Sequence, residues 1–199
     1  MPIYGLTDRG LSFPEIGQIR KGDKGGKNGA PRDLEYFRVI FDETETERAG
    51  IFHSIYGANP TQLSIMLPFN ETDRCWDCWY EAYTAGRMVA RSDGRFFTFR
   101  VDHQTGAILV VNGLDEHGQQ MPHQEQVGIY MDGNGKSQPI KMKPVGRLKV
   151  VIPELRSLAY LTVHTTSIHD IINISAQLAA IRTITGGQIA GIPLVLCRK

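Results

Sequence analysis

Between Met88 and Val101 the sequence repeats with a period of two: Met88-Val89-Ala90, then Ser92-Asp93-Gly94, then Phe96-Phe97-Thr98-Phe99-Arg100-Val101. That period places successive side chains on opposite faces of an extended strand, and the Ser-Asp-Gly step supplies the reversal between two such strands. A β-hairpin is therefore expected near the middle of the chain. Hairpins join neighbouring strands in antiparallel sense, which points the whole fold towards an antiparallel sheet.

Other segments extend this pattern. Leu34, Tyr36, Phe37, Val39, Ile40 and Phe41 predict a strand that runs into an acidic, exposed stretch at 42–47. Gln62-Leu63-Ser64-Ile65-Met66-Leu67-Pro68 alternates and stops at proline. Ile108-Leu109-Val110-Val111 and Val127-Gly128-Ile129-Tyr130-Met131 are strands separated by a polar linker, with Asp132-Gly133-Asn134-Gly135 as a turn. Leu148-Lys149-Val150-Val151-Ile152 ends at Pro153, Tyr160-Leu161-Thr162-Val163-His164 follows, and a last strand over 189–196 is interrupted by Pro193, which suits a sheet edge.

Helical spacing occurs in two places. Trp76, Trp79, Tyr80 and Tyr83 fall at i, i+3, i+4 and i+7, with Asn70 or Thr72 as a cap and Gly86 as a stop, which predicts an aromatic-faced helix over about 71–84. Ile168, Ile171, Ile172, Ser175, Leu178, Ala179 and Ile181 predict a second helix over about 167–185, opened by Ser167 with Asp170 and closed by Gly186-Gly187. About two main helices among about eight strands, with hairpins commoner than βαβ units, indicate an α+β fold with a largely antiparallel sheet. At 199 residues and 41% hydrophobic content the chain is read as a single domain over 1–199, able to bury a core without disulfide or metal staples.

No apolar run approaches the roughly 18 residues of a membrane span, and the opening MPIYGLTDRG lacks a basic stretch followed by an apolar core. Cys75, Cys78 and Cys197 make an odd number with one close pair, which fits a reducing compartment. A cytoplasmic protein with no membrane partner is expected.

The formal net charge of +1 conceals a strong division. Residues 1–38 carry seven Lys or Arg against five Asp or Glu; residues 39–135 carry six against fourteen; residues 136–199 carry nine against two. Such asymmetry predicts a cationic face for nucleic acid or an acidic protein surface. Its candidate residues are Arg20, Lys21, Lys24, Lys27 and Arg32 in a flexible glycine-rich loop at about 20–32, with Arg38 beyond it. A second basic strip contains Lys141, Lys143, Arg147 and Lys149, whose odd numbers would share one strand face.

Signals for catalysis are weak. Cys75-Trp76-Asp77-Cys78 has the spacing that puts two sulfurs on one side of a helical turn, yet the second half of a zinc site is missing, so two partly buried thiols is the preferred reading. His164, Thr166, Ser167, His169 and Asp170 bring a hydroxyl, an imidazole and a carboxylate together, but Ser167 and Asp170 are also what a helix start requires. The loop at 22–29 has neither G-x-x-x-x-G-K-[ST] nor G-x-G-x-x-G and does not lead from a strand into a helix. Trp76, Trp79 and Tyr80 are read as core rather than as a base-stacking platform. No catalytic residue and no metal ligand is assigned.

Several segments nevertheless match a known pattern. Ile19-Arg20-Lys21-Gly22, then Asn28-Gly29-Ala30-Pro31-Arg32-Asp33-Leu34-Glu35-Tyr36-Phe37-Arg38, Leu63-Ser64-Ile65-Met66-Leu67-Pro68, Trp79-Tyr80-Glu81-Ala82-Tyr83 and Arg91-Ser92-Asp93-Gly94 occur in order. Gly146-Arg147-Leu148-Lys149-Val150-Val151-Ile152-Pro153-Glu154-Leu155 and Thr162-Val163-His164-Thr165-Thr166-Ser167 continue the series. Together they resemble the phage recombination-directionality-factor-like family, accessory proteins of large serine integrases. The resemblance implies a non-catalytic protein in a bacterial host cell that binds the integrase on its DNA, favours excision and needs no cofactor. It carries over no residue-level site. Two other classes stay open: a single-stranded nucleic-acid-binding subunit, such as a backbone protein of an RNA-guided defence complex, and a metal-dependent hydrolase built on Cys75, Cys78 and the histidines.

Overall fold

The computed structural model describes residues 13–24, 31–133 and 135–198. Its strands are β1 (Glu15–Lys24), β2 (Pro31–Phe41), β3 (Gln62–Ile65), β4 (Trp76–Thr84), β5 (Arg87–Ser92), β6 (Phe97–Val101), β7 (Ile108–Val111), β8 (Gln126–Met131), β9 (Ser137–Lys141), β10 (Lys143–Val150), β11 (Tyr160–Thr165) and β12 (Leu194–Cys197). The helices are α1 (Thr46–Tyr56), α2 (Thr72–Cys75) and α3 (Ile168–Ile184), with a 3₁₀ turn at Pro153–Leu155. The fold is α+β, and its large sheet has the order β2-β1-β11-β10-β4-β5-β6-β7. Pairing is antiparallel in the hairpins and parallel between β1 and β11. Two further two-stranded sheets pair β12 with β3 and β8 with β9.

Contacts divide the chain into two compact units. The larger comprises Met1–Trp76, Arg147–Thr165 and Ser175–Lys199; the smaller comprises Asp77–Gly146 and Thr166–Ile174.

In the larger unit, β1 lies between β2 and β11, and one face of this trio is apolar: Ile19 is opposite both Val39 and Val163. Phe37, Phe52, Leu63, Leu67, Ile152, Leu161 and Ile189 of this unit are fully buried. Phe52 anchors α1 by stacking on Tyr56 at 4.9 Å and meeting the edge of Phe41 at 5.6 Å, and the helix stops at Gly57, whose φ is 72°. Asn70 Oδ1 accepts the backbone N–H groups of Ile189 and Ala190, at 3.0 and 2.9 Å, and so ties the approach to β12 to the end of the β3 segment. Pro193 stands just before β12, which leaves that strand shorter than the expected 189–196 and paired on β3.

Gly17 shows how tightly β1 and β2 approach. Its φ is 150°, and a Cβ there would stand 2.2 Å from Ile40 O and 2.8 Å from the Phe41 Cα. Gly17→Ala is expected to cost about 2 kcal/mol or more, because the obstacle is backbone and cannot rotate away. Urea unfolding of the variant checks this; a change under about 0.5 kcal/mol, typical of an unconstrained surface site, would contradict it.

In the smaller unit, β4, β5, β6 and β7 form an antiparallel meander. Its core is Ala82, Val89, Ala90, Phe97 and Val110, closed by Ile140 and Met142. The expected hairpin at 88–101 is present: Asp93 Oδ1 accepts the backbone N–H groups of Arg95 and Phe96 at 2.7 and 2.8 Å, and Gly94 supplies φ 95°. Those N–H groups hold the Asp93 carboxyl below its ordinary pKa.

Three expectations need correction. The aromatic helix over 71–84 is absent: α2 ends at Cys75, and from Trp76 the chain is strand β4. The spacing that fits one helical face places Trp76 and Tyr80 on one side of a strand and Trp79 and Tyr83 on the other. Aromatic residues favour strands, and Ala85-Gly86, with φ of 47° and 77°, form the two-residue turn of the β4–β5 hairpin rather than a helix stop. Secondly, the loop at about 20–32 is largely strand. β1 continues to Lys24 and β2 begins at Pro31, with Gly22 opposite Asp33 and Asp23 opposite Arg32. A Cβ on Gly22 would lie 2.9 Å from Arg32 O, so glycine serves close approach there rather than disorder. Residues 25–30, with Lys27, lie outside the described residues. Thirdly, the acidic stretch after β2 leads into α1, a helix whose apolar residues draw no clear stripe in the sequence. The helix expected over 167–185 is present as α3.

Candidate partner and nucleic-acid interface

The face of β1 opposite the apolar core carries Gln18 and Arg20. Arg20 is directly across from Arg38 on β2 and from His164 on β11, so the three form a row over neighbouring strands. One step along, Ile40, Gln18 and Thr162 form the next row. Directly paired residues share a sheet face, so both rows look away from Ile19 and Val163.

β10 adds to the same face. Leu148 and Val150 are buried, whereas Arg147 and Lys149, one residue out of phase, are half-exposed. Lys149 Nζ stands 5.3 Å from the centre of the Tyr160 ring, and Tyr160 shares its side of β11 with Thr162 and His164. Arg20, Arg38, Arg147 and Lys149 thus converge on one sheet face of the larger unit, although they come from opposite ends of the sequence.

Neighbouring groups modulate this charge. Arg38 pairs with Asp23, and its Nε is buried without a hydrogen-bond partner. Arg20 Nη2 donates to Gln18 Oε1 at 2.6 Å. The Tyr160 hydroxyl is pushed above its ordinary pKa by burial and then by Glu15, so it stays neutral and does not offset the cations.

The remaining basic residues are distributed elsewhere. Lys21 is a half-buried strand residue, its amine held below the ordinary value first by burial and then by Arg198. Arg198 in turn bonds Asp33 Oδ1 at 2.6 Å and Leu34 O at 2.6 Å. Arg32 is exposed on β2, and Lys24 ends β1 with its side chain outside the described residues. Lys141 belongs to β9, not to the strand of Lys143, Arg147 and Lys149, so the single strip expected from odd numbering is divided.

The other candidates resolve into structural roles. Cys75 closes α2 while Cys78 lies in β4, so the helical turn that would have aligned their sulfurs does not exist. The Cys75 thiol is buried, donates to Phe69 O at 3.2 Å and is pushed up in pKa by burial, which opposes the thiolate that nucleophiles and metal ligands require. Among the described residues, no group of three or more His, Cys, Asp or Glu is placed to hold a metal ion. Ser167 Oγ accepts the Asp170 N–H at 3.3 Å, the cap expected at the start of α3. Trp76 is buried and donates to Ser175 Oγ at 2.9 Å, while Trp79 Nε1 donates to Asp77. Tyr160 and His164 entered the interface only through the parallel β1–β11 pairing; their one sequence signal was the alternation Tyr160, Thr162, His164.

Against this geometry, the model of the Gp3-like family, described as recombination directionality factor-like, matches residues 16–199. The chain belongs to this family. No curated protein and no solved structure matches it. The directionality-factor-like match takes in β1, β2, β10 and β11, and with them the whole cationic face. The family's description supports a role like that of a recombination directionality factor. Among the described residues, no helix is long and apolar enough to cross a membrane.

Proposed function

We propose that this chain is a recombination directionality factor that binds a serine integrase on its DNA and shifts the assembled complex towards excision, while the integrase performs all bond breakage and joining. The observation that carries this reading is the family match over residues 16–199, which takes in nearly the whole chain. The geometry is compatible with binding: the charged residues lie on a sheet face, and the Cys75 thiol and Ser167 hydroxyl already have structural uses. The acceptor sites for such a protein are macromolecular surfaces, which a broad face suits better than a small-molecule cleft.

The test is a reconstituted reaction with a serine integrase recovered from the same host or phage, using either the unrecombined sites or the hybrid sites left by integration. Adding the protein is expected to switch on recombination of the hybrid sites and to suppress integration. The integrase should also be retained on the immobilised protein after nuclease treatment. Unchanged recombination in both directions would exclude the reading.

A further inference from the structure

We infer that the face bearing Arg20, Arg38, Arg147 and Lys149 contacts the sugar-phosphate backbone of DNA directly within the recombination complex. The inference rests on the reading that the protein works on integrase bound to DNA, and it names the ligand of this face. Three of the four cations are guanidiniums, whose planar fork matches a phosphate with two parallel hydrogen bonds. Arg38 and Arg20 are directly opposite on neighbouring strands, a spacing of about 5 Å, and Arg147 and Lys149 lie two residues apart on β10, about 6–7 Å. Duplex DNA presents one negative charge per roughly 1.7 Å of axis, so an array with these spacings meets several phosphates at once.

The side chains between the cations support nucleic acid over an acidic protein. Gln18, Tyr160 and His164 are polar, and Ile40 at the margin is the large aliphatic residue of the two rows. Protein interfaces are anchored by Trp, Tyr and Arg in desolvated pockets and are poor in Lys, whereas contacts to phosphate and sugar use Lys as well as Arg, with Gln and Tyr beside them. Asp23 beside Arg38, and Glu15 paired with Tyr160 on the same face, reduce the net charge, which makes the contact weak alone and effective next to a protein already holding the DNA.

Ile40, which is 43% exposed and shares the face, is the position for a photoreactive phenylalanine. In the complete assembly with integrase and end-labelled DNA, irradiation is expected to attach the label to this chain. The yield should fall at least tenfold in Arg20→Glu/Lys149→Glu and to a lesser extent in Arg20→Gln/Lys149→Gln, with melting curves confirming that both variants fold. Attachment to integrase alone, or equal DNA attachment in the charge-reversed variant, overturns the inference while leaving the directionality role intact. If instead the wild-type protein does not alter recombination, the directionality role fails and a naked duplex decides this inference separately. Binding whose affinity falls with salt at a log–log slope of about −3 sustains it, and absence of binding at about 50 mM salt overturns it.

Discussion

Arg91→Leu is expected to destabilise the smaller unit by about 3–5 kcal/mol, because it removes the cation paired with a buried carboxylate. Glu81 is 1% exposed, and Arg91 is its direct cross-strand partner on β5. The guanidinium donates through Nε and Nη2 to Glu81 Oε1, at 3.1 and 2.8 Å, while the Tyr83 hydroxyl donates to Oε2 at 2.7 Å. Removing the cation leaves the desolvation cost of the carboxylate in place and deletes the charge-assisted hydrogen bonds to Oε1 that help to offset it. Replacing both members, Glu81→Leu with Arg91→Leu, removes that cost as well, and the double variant should regain most of the loss. Arg91 also lies 5.5 Å from the Trp79 ring, so urea unfolding followed by tryptophan emission, alongside circular dichroism, reports the change where it occurs. A single variant within about 1 kcal/mol of wild type would show that Glu81 is satisfied without Arg91.

Phe97→Ala should cost a similar amount, about 3–5 kcal/mol, by a different mechanism. Phe97 is 0% exposed and belongs to the core of Ala82, Val89, Ala90, Val110, Ile140 and Met142. Few of these neighbours are long enough to collapse into the space, so a cavity remains. The loss should also reach the 112–126 linker, which is laid against β6: Phe97 N–H donates to Met121 O at 2.9 Å and His123 N–H to Arg95 O at 2.8 Å. Arg100 holds the same segment through Gln124 Oε1 at 3.1 Å, with its guanidinium 5.1 Å from the Phe97 ring. Hydrogen exchange should therefore show lost protection of the Phe97 and His123 amides. Phe96→Ala is the control: Phe96 is 36% exposed, so its variant should change stability by under about 1 kcal/mol. Equal losses from the two variants would place the core elsewhere.

The fold and the interface were legible to different degrees. The strands in β2, β5, β6, β8, β10 and β11, the turn at Ser92-Asp93-Gly94 and the helix α3 with its Ser167 cap were readable because each depends on neighbours a few residues apart. The stretch from Trp76 to Tyr83 was misread because its aromatic spacing satisfies a helix and a strand equally. What decided it was pairing: in β4, Glu81 meets Arg91 across the hairpin, whereas a helix would have turned Glu81 towards solvent. α1 escaped notice since its burial rests on one residue, Phe52, and its partners Phe41 and Tyr56 are not arranged as a stripe.

The basic segments were visible as composition, but their residues did not all share one fate. The structure sends Lys21 towards Asp33 and Arg198, places Lys141 on a different strand, and gathers Arg20, Arg38, Arg147 and Lys149 on one face. The sequence by itself determined the local periods, the turn chemistry, the α+β class and the segments that mark the family. Only the tertiary structure decided which cations meet, because the parallel pairing of β1 with β11 and the place of β10 beside it join segments far apart in the chain, and that register is set by burying Ile19, Val163, Leu148 and Val150 on the opposite face.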